Sequence, residues 1–84
     1  QEGAEQFRVF TEQIDRTLNA FARARKDEDE ILVRSSELWK TLGITEDNSL
    51  QRQAGIFIKN SLSLEVKKKG DGNYYDLTPL ANRL

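Results

Sequence analysis

Apolar positions recur at spacings of three and four from Phe7 through Phe10, Ile14 and Leu18 to Phe21, a period that places all five on one helical face. The spacing predicts a first helix over residues 5 to about 26. Its other face is charged, with Glu5, Arg8, Glu12, Asp15 and Arg16, and Glu12 precedes Arg16 by four residues, the order that favours an ion pair along a helix. Arg23, Arg25 and Lys26 complement the negative end of the helix dipole. The stripe covers little more than two heptads, so it is expected to face the core of its own domain and not to form a coiled-coil seam.

Asp27 to Glu30 then reads as a surface connection, and the partly β-branched run Ile31, Leu32, Val33 as a brief strand. A second helix is expected from Ser35 to Leu42. Ser35 or Ser36 is its expected cap, Leu38, Trp39 and Leu42 its buried side, and Gly43 the positive-φ residue that ends it. Thr45 to Ser49 is polar and turn-like, and Asn48 or Ser49 is expected to cap a third helix running from about Leu50 to Leu62 through Ala54, Phe57, Ile58 and Ser61.

Beyond Leu62 the apolar period shortens to about two, with Leu64 and Val66 alternating with charges. Gly70-Asp71-Gly72-Asn73 supplies residues that tolerate positive φ, and Tyr74, Tyr75 and Leu77 fit a returning strand stopped by Thr78 and Pro79. This is a β-hairpin. Two strands alone are marginal, so the hairpin must pack on the helices. Alternation puts Lys67 and Lys69 on one face with Lys68 opposite, and sends Tyr74 and Tyr75 to opposite faces. Trp39 and Phe57 are expected in the core.

The 84 residues suffice for one domain, and no apolar run approaches the roughly 20 residues that span a bilayer. No His or Cys is present, which excludes disulfides, Cys or His metal sites, thiol nucleophiles and the Ser-His triad. The carboxylates Asp27 to Glu30 lack the glycine and twelfth-position Glu of a calcium loop, and Gly70 and Gly72 lie at a hairpin tip instead of between strand and helix, where a phosphate loop belongs. No catalytic residue, metal or cofactor is therefore expected. The net charge of -1 conceals segregation: residues 1–48 carry 7 basic and 11 acidic side chains, residues 49–84 carry 6 and 3. A chain that opens on Gln1 and contains no Met is expected to be a fragment of a longer protein, with residues 1–84 as one domain.

The element order resembles that of a winged helix-turn-helix domain. Val33-Arg-Ser-Ser-Glu-Leu-Trp-Lys-Thr-Leu-Gly-Ile44 resembles the strand and first helix of that motif, and Leu64-Glu-Val-Lys-Lys-Lys-Gly-Asp-Gly-Asn-Tyr-Tyr-Asp-Leu-Thr78 resembles the wing. With the first helix they cover nearly the whole chain. Within that family the sequence is similar to the carboxyl-terminal winged helix of phage and plasmid replicative helicase-primases, although the spacer Thr45 to Ser49 is longer than the three-residue turn of simpler members.

The resemblance implies an α+β fold, a three-helix winged helix-turn-helix with a short strand and a C-terminal β-hairpin wing. It also implies that residues 49–62 form a recognition helix, with Ser49, Gln51, Arg52, Lys59 and Gln53 as reading side chains. Arg can contact guanine and Gln adenine through paired hydrogen bonds, while Lys59 or Ser49 can bind phosphate. Lys67, Lys68 and Lys69, on a wing over residues 66–76, are the densest basic cluster and are expected to reach the DNA backbone. The plain alternatives are a solvated helix face and edge-strand lysines that block aggregation. The expected function is a non-catalytic DNA-binding module of a replication or regulatory protein, cytoplasmic and nucleoid-associated. Its partner would be double-stranded DNA, with further copies of the chain or other replication proteins and no membrane. The alternative is a winged helix turned protein-interaction module, using its acidic half or first helix and leaving DNA untouched.

Overall fold

Helix α1 spans Glu2–Ala24 in the computed structural model, which describes residues 2–83. Ile14, Leu18 and Ala22 on its apolar stripe are fully buried, and Phe10 and Phe21 pack beside them. Phe7 continues the same stripe one to two turns further out, yet remains 50% exposed because α1 overruns the core. The helix stops before residue 26, and of the three expected basic residues only Arg23 lies in its last turn. Arg25 instead turns back: Nη1 donates to the Leu32 carbonyl at 2.7 Å, and Nε and Nη2 each donate to the Glu28 carboxylate at 2.9 Å. The acidic loop is exposed, as its composition predicts.

Strand β1 (Leu32–Arg34) passes directly into α2 (Ser35–Leu42), leaving no residue between them to serve as a separate cap. Arg34 occupies the cap position with extended backbone and no side-chain bond, so neither Ser35 nor Ser36 caps the helix. At the other end Gly43 takes φ 74°. Its N–H donates to the Lys40 carbonyl and that of Ile44 to the Trp39 carbonyl, closing the helix with paired reverse bonds and burying Ile44. Helix α3 covers Asn48–Asn60, capped by Asp47, whose carboxylate accepts from the Leu50 N–H at 3.0 Å. The cap thus falls one residue before the expected Asn48 or Ser49, because Asp fulfils the same role. The helix also ends two residues early.

β2 (Val66–Lys69) and β3 (Gly72–Asp76) form the hairpin, and β1 joins it in an antiparallel sheet of order β1-β3-β2. Val33 and Val66 both face Tyr75, while Arg34 and Lys67 both face Tyr74. One sheet face therefore carries buried Tyr75 toward the helices and the other carries half-exposed Tyr74, as strand alternation predicts. The link is two residues, Gly70 and Asp71, and the left-handed backbone falls at Gly72 with φ 148°.

Pro79 does not merely end β3. Thr78–Ala81 forms a fourth helix, α4, with Pro79 in its first turn, where a missing N–H has no consequence. The expectation of three helices is corrected to four. α4 packs on α1 and buries Leu80. The whole is a small α+β fold with one core, in which Ile14, Leu18, Ile31, Leu38, Ile58 and Leu77 are fully buried. Trp39 and Phe57 pack on its margin instead of inside it, and the Trp39 ring meets Tyr75 edge-on at 6.0 Å.

Asp76 ties strand end to helix start. Its Oδ1 accepts from the Thr78 N–H at 3.0 Å and hydroxyl at 2.6 Å, and the same hydroxyl oxygen accepts from the Ile31 N–H at 3.1 Å. Burial works to raise the carboxyl's pKa, but the two Thr78 bonds and the Lys67 ammonium together hold it below its ordinary value. A lowered folded-state pKa gives stability that is complete above the ordinary carboxylate range and lost as pH falls through the folded value. Asp76→Asn should accordingly melt below the parent protein near neutral pH, with the gap closing on acidification through that range. Thermal melts across the acid range check this, and a gap independent of pH would refute it.

Candidate nucleic-acid interface

Ala54 and Ile58 anchor α3 in the core, so the helix turns its opposite side to solvent. Ser49, Arg52, Gln53, Ile56, Lys59 and Asn60 are all exposed there. No Asp or Glu occurs between Asn48 and Asn60, and neither Arg52 nor Lys59 makes an ion pair among the described residues. In a chain with 14 carboxylates this leaves one helix side locally positive.

Gln51 is not part of that side. Its Nε2 donates to the carbonyls of Ile44 at 2.9 Å and Thr45 at 2.8 Å, bracing the connection between α2 and α3. The connection contains a turn closed by the Asp47 N–H donating to the Ile44 carbonyl at 3.1 Å, and the glutamine braces that turn from α3.

The three hairpin lysines separate by environment. Lys67 Nζ lies 2.5 Å from Glu30 Oε2 and 3.3 Å from Asp76 Oδ2, and the bond to Glu30 is the chief reason its pKa is raised. It is engaged within the molecule. Lys68 and Lys69 are exposed and make no ion pair among the described residues. Register places Lys68 on the Tyr75 face, which packs against α3: a Cβ on Gly55 would lie 3.3 Å from the Tyr75 hydroxyl. Lys69 lies on the Tyr74 face with Lys67.

Arg34, unmarked in the sequence reading, sets the position of the hairpin tip. Its Nη2 donates to the Asp71 carbonyl, and its guanidinium covers Gly72 so closely that a Cβ there would lie 3.1 Å from Nε. Tyr74 donates its hydroxyl to Asp71 Oδ2 at 2.6 Å, a bond that lowers the Asp71 pKa and raises that of Tyr74. The tip is thereby fastened to β1, whose last residue, Arg34, occupies the cap position of α2. A signal was available, since an Arg paired across the sheet with a Tyr beside a Gly-containing turn can reach that turn, but using it required the β1–β3 register.

Arg52 and Lys59 on α3 and Lys68 and Lys69 on the hairpin are exposed cations, and no buried polar side chain lacks a partner among the described residues. Among those residues no cluster of potential metal ligands occurs, and no helix is long and apolar enough to cross a membrane. Set against protein families, curated proteins and solved structures, the chain matches none.

Proposed function

We propose that the domain is a winged helix that binds double-stranded DNA without catalysis, as a module of a larger replication or regulatory protein. The reading rests on one observation above others: the exposed side of α3 carries Arg52 and Lys59 without a carboxylate, and the adjoining hairpin adds unpaired Lys68 and Lys69, in a chain of net charge -1. The order β1, α2, α3, β2, β3, with β1 pairing to the far strand of the hairpin, is compatible with a winged helix, in which α3 would be the recognition helix and the hairpin its wing. The replication role comes from the sequence resemblance to helicase-primases.

In this reading Ser49 and Arg52, in the first turns of α3, approach base edges, while Lys59, Lys68 and Lys69 neutralise phosphates. Gln51 and Lys67, named as DNA contacts from their residue types, hold the α2–α3 connection and the wing base in place. Arg52→Ala should weaken binding to a preferred duplex by about 1–3 kcal/mol while leaving random duplexes nearly unaffected. Parallel titrations of the two duplexes test this, and equal losses on both would remove Arg52 as a base reader.

A protein-interaction reading draws on a different feature. Phe7, 50% exposed, and Ile56, 55% exposed, stand with Phe57 around a cleft of about 410 Å³ between α1 and α3. That cleft has no charged lining residue.

A further inference from the structure

Ile56 is the large apolar side chain that α3 leaves in solvent, 55% exposed although Ala54 and Ile58, two positions to either side, are buried. It lines the cleft with Phe7 and Phe57, yet more than half of it stays in solvent, and a β-branched residue is not what helix propensity selects at a wet position. Ser49, Arg52, Gln53 and Ile56 follow the spacing i, i+3, i+4, i+7, so they form a single row along the exposed side. Arg52 precedes Ile56 by one turn, Lys59 and Asn60 follow it, and no carboxylate lies anywhere on the helix. An apolar group set among cations and amides fits the major-groove edge of a duplex, where the thymine C5-methyl is the apolar mark among hydrogen-bonding groups.

We propose that Ile56 reads thymine by covering its C5-methyl group, and is a specificity-determining residue of the DNA site. The inference rests on the DNA-binding reading above and adds to it the base at one position. Ile56 and Gln53 also line the cleft with Phe7, but duplex DNA is favoured over a protein occupant because the row sets the isoleucine one turn after Arg52 and three residues before Lys59. A base contact requires Ile56 and does not require Phe7.

Selection of duplexes from a randomised pool, followed by replacement of each thymine of the selected duplex with uracil, tests this. At one position uracil should weaken the parent protein about three- to fivefold, the effect expected for losing one buried methyl. Ile56→Ala should weaken binding to the thymine duplex similarly, become indifferent to uracil there, and keep the parent's salt dependence and melting temperature. Phe7→Ala should retain the parent's response to uracil. The inference is overturned if the parent is indifferent to every uracil replacement, or if Ile56→Ala keeps the parent's uracil profile. Salt-dependent duplex binding with either result leaves the DNA reading standing and removes only Ile56. Failure to bind any duplex removes both.

Discussion

Ile58→Ala is expected to destabilise the domain by about 2–5 kcal/mol, the range for emptying a fully buried aliphatic site. At about 4–8 °C per kcal/mol for a domain of this size, the melting temperature should fall by roughly 10 °C or more. Ile58 is wholly enclosed, and its carbonyl also accepts from the Leu64 N–H at 3.2 Å, so the residue fixes both α3 and the chain leading into β2. Ile56→Ala, two residues away on the exposed side, should change stability by no more than about 0.5 kcal/mol. The contrast tests the orientation of α3. Comparable losses at the two positions in thermal or urea unfolding would mean that the helix is turned differently and that its cationic side is not the exposed one.

The second large effect concerns binding. Replacing Arg52, Lys59, Lys68 and Lys69 together with Ala removes four exposed cations while leaving Lys67, Arg25 and Arg34 in their intramolecular bonds. Lys59, Lys68 and Lys69 each contribute about 0.9 to the slope of log affinity against log salt if they touch phosphate, so the slope should flatten by about 3. The same arithmetic gives the parent protein a loss of about fortyfold between 50 and 200 mM salt. Because the four side chains are exposed, the variant should melt close to the parent, which separates lost binding from lost structure. Titrations of a mixed-sequence duplex at several salt concentrations check this, and an unchanged slope would place the DNA contacts elsewhere.

Features governed by local spacing were legible before the structure. The 3.6-residue stripe located α1, the Leu38 to Gly43 pattern located α2 with its left-handed end, and the change to period two located the hairpin and sent Tyr74 and Tyr75 to opposite faces. What escaped depends on choices among equivalent residues or on distant partners. Asp47, Asn48 and Ser49 are all competent caps, and Asp47 is used. Thr78-Pro79 halts a strand, but the same proline suits the first turn of a helix, so α4 was hidden by the ambiguity of its opening residues.

The candidate site divides the same way. Arg52, Lys59, Lys68 and Lys69 are exposed as their residue types suggested. Lys67 looked equivalent to its neighbours because Glu30 is 37 residues away, a pairing that only the folded chain creates. Gln51 likewise has a bracing role that its residue type does not show, because the connection from α2 curls within reach of its amide. Ile56 went unmarked because an isoleucine in an amphipathic helix is ordinarily assigned to the core. Its exposed position follows from the core-side placement of Ala54 and Ile58.

The charge pattern also bears on how strongly one copy binds. With a net charge of -1 the domain lacks the broad positive field that holds many DNA-binding modules near a duplex. If Arg52, Lys59, Lys68 and Lys69 are the cations that meet DNA, one copy binds with modest affinity at physiological salt, and tighter binding would need linkage to further copies or other DNA-binding parts.

Duplex binding through the exposed cations of α3 and the hairpin is tested by fluorescence-anisotropy titration of the domain against a mixed-sequence duplex and a single strand of the same length, each at about 50 and 200 mM salt. Binding to the duplex is expected in preference to the single strand, weakening about fortyfold between the two salt concentrations. Absence of binding to either at high protein concentration, or duplex binding indifferent to salt, would contradict it and turn attention to the uncharged cleft beside Phe7.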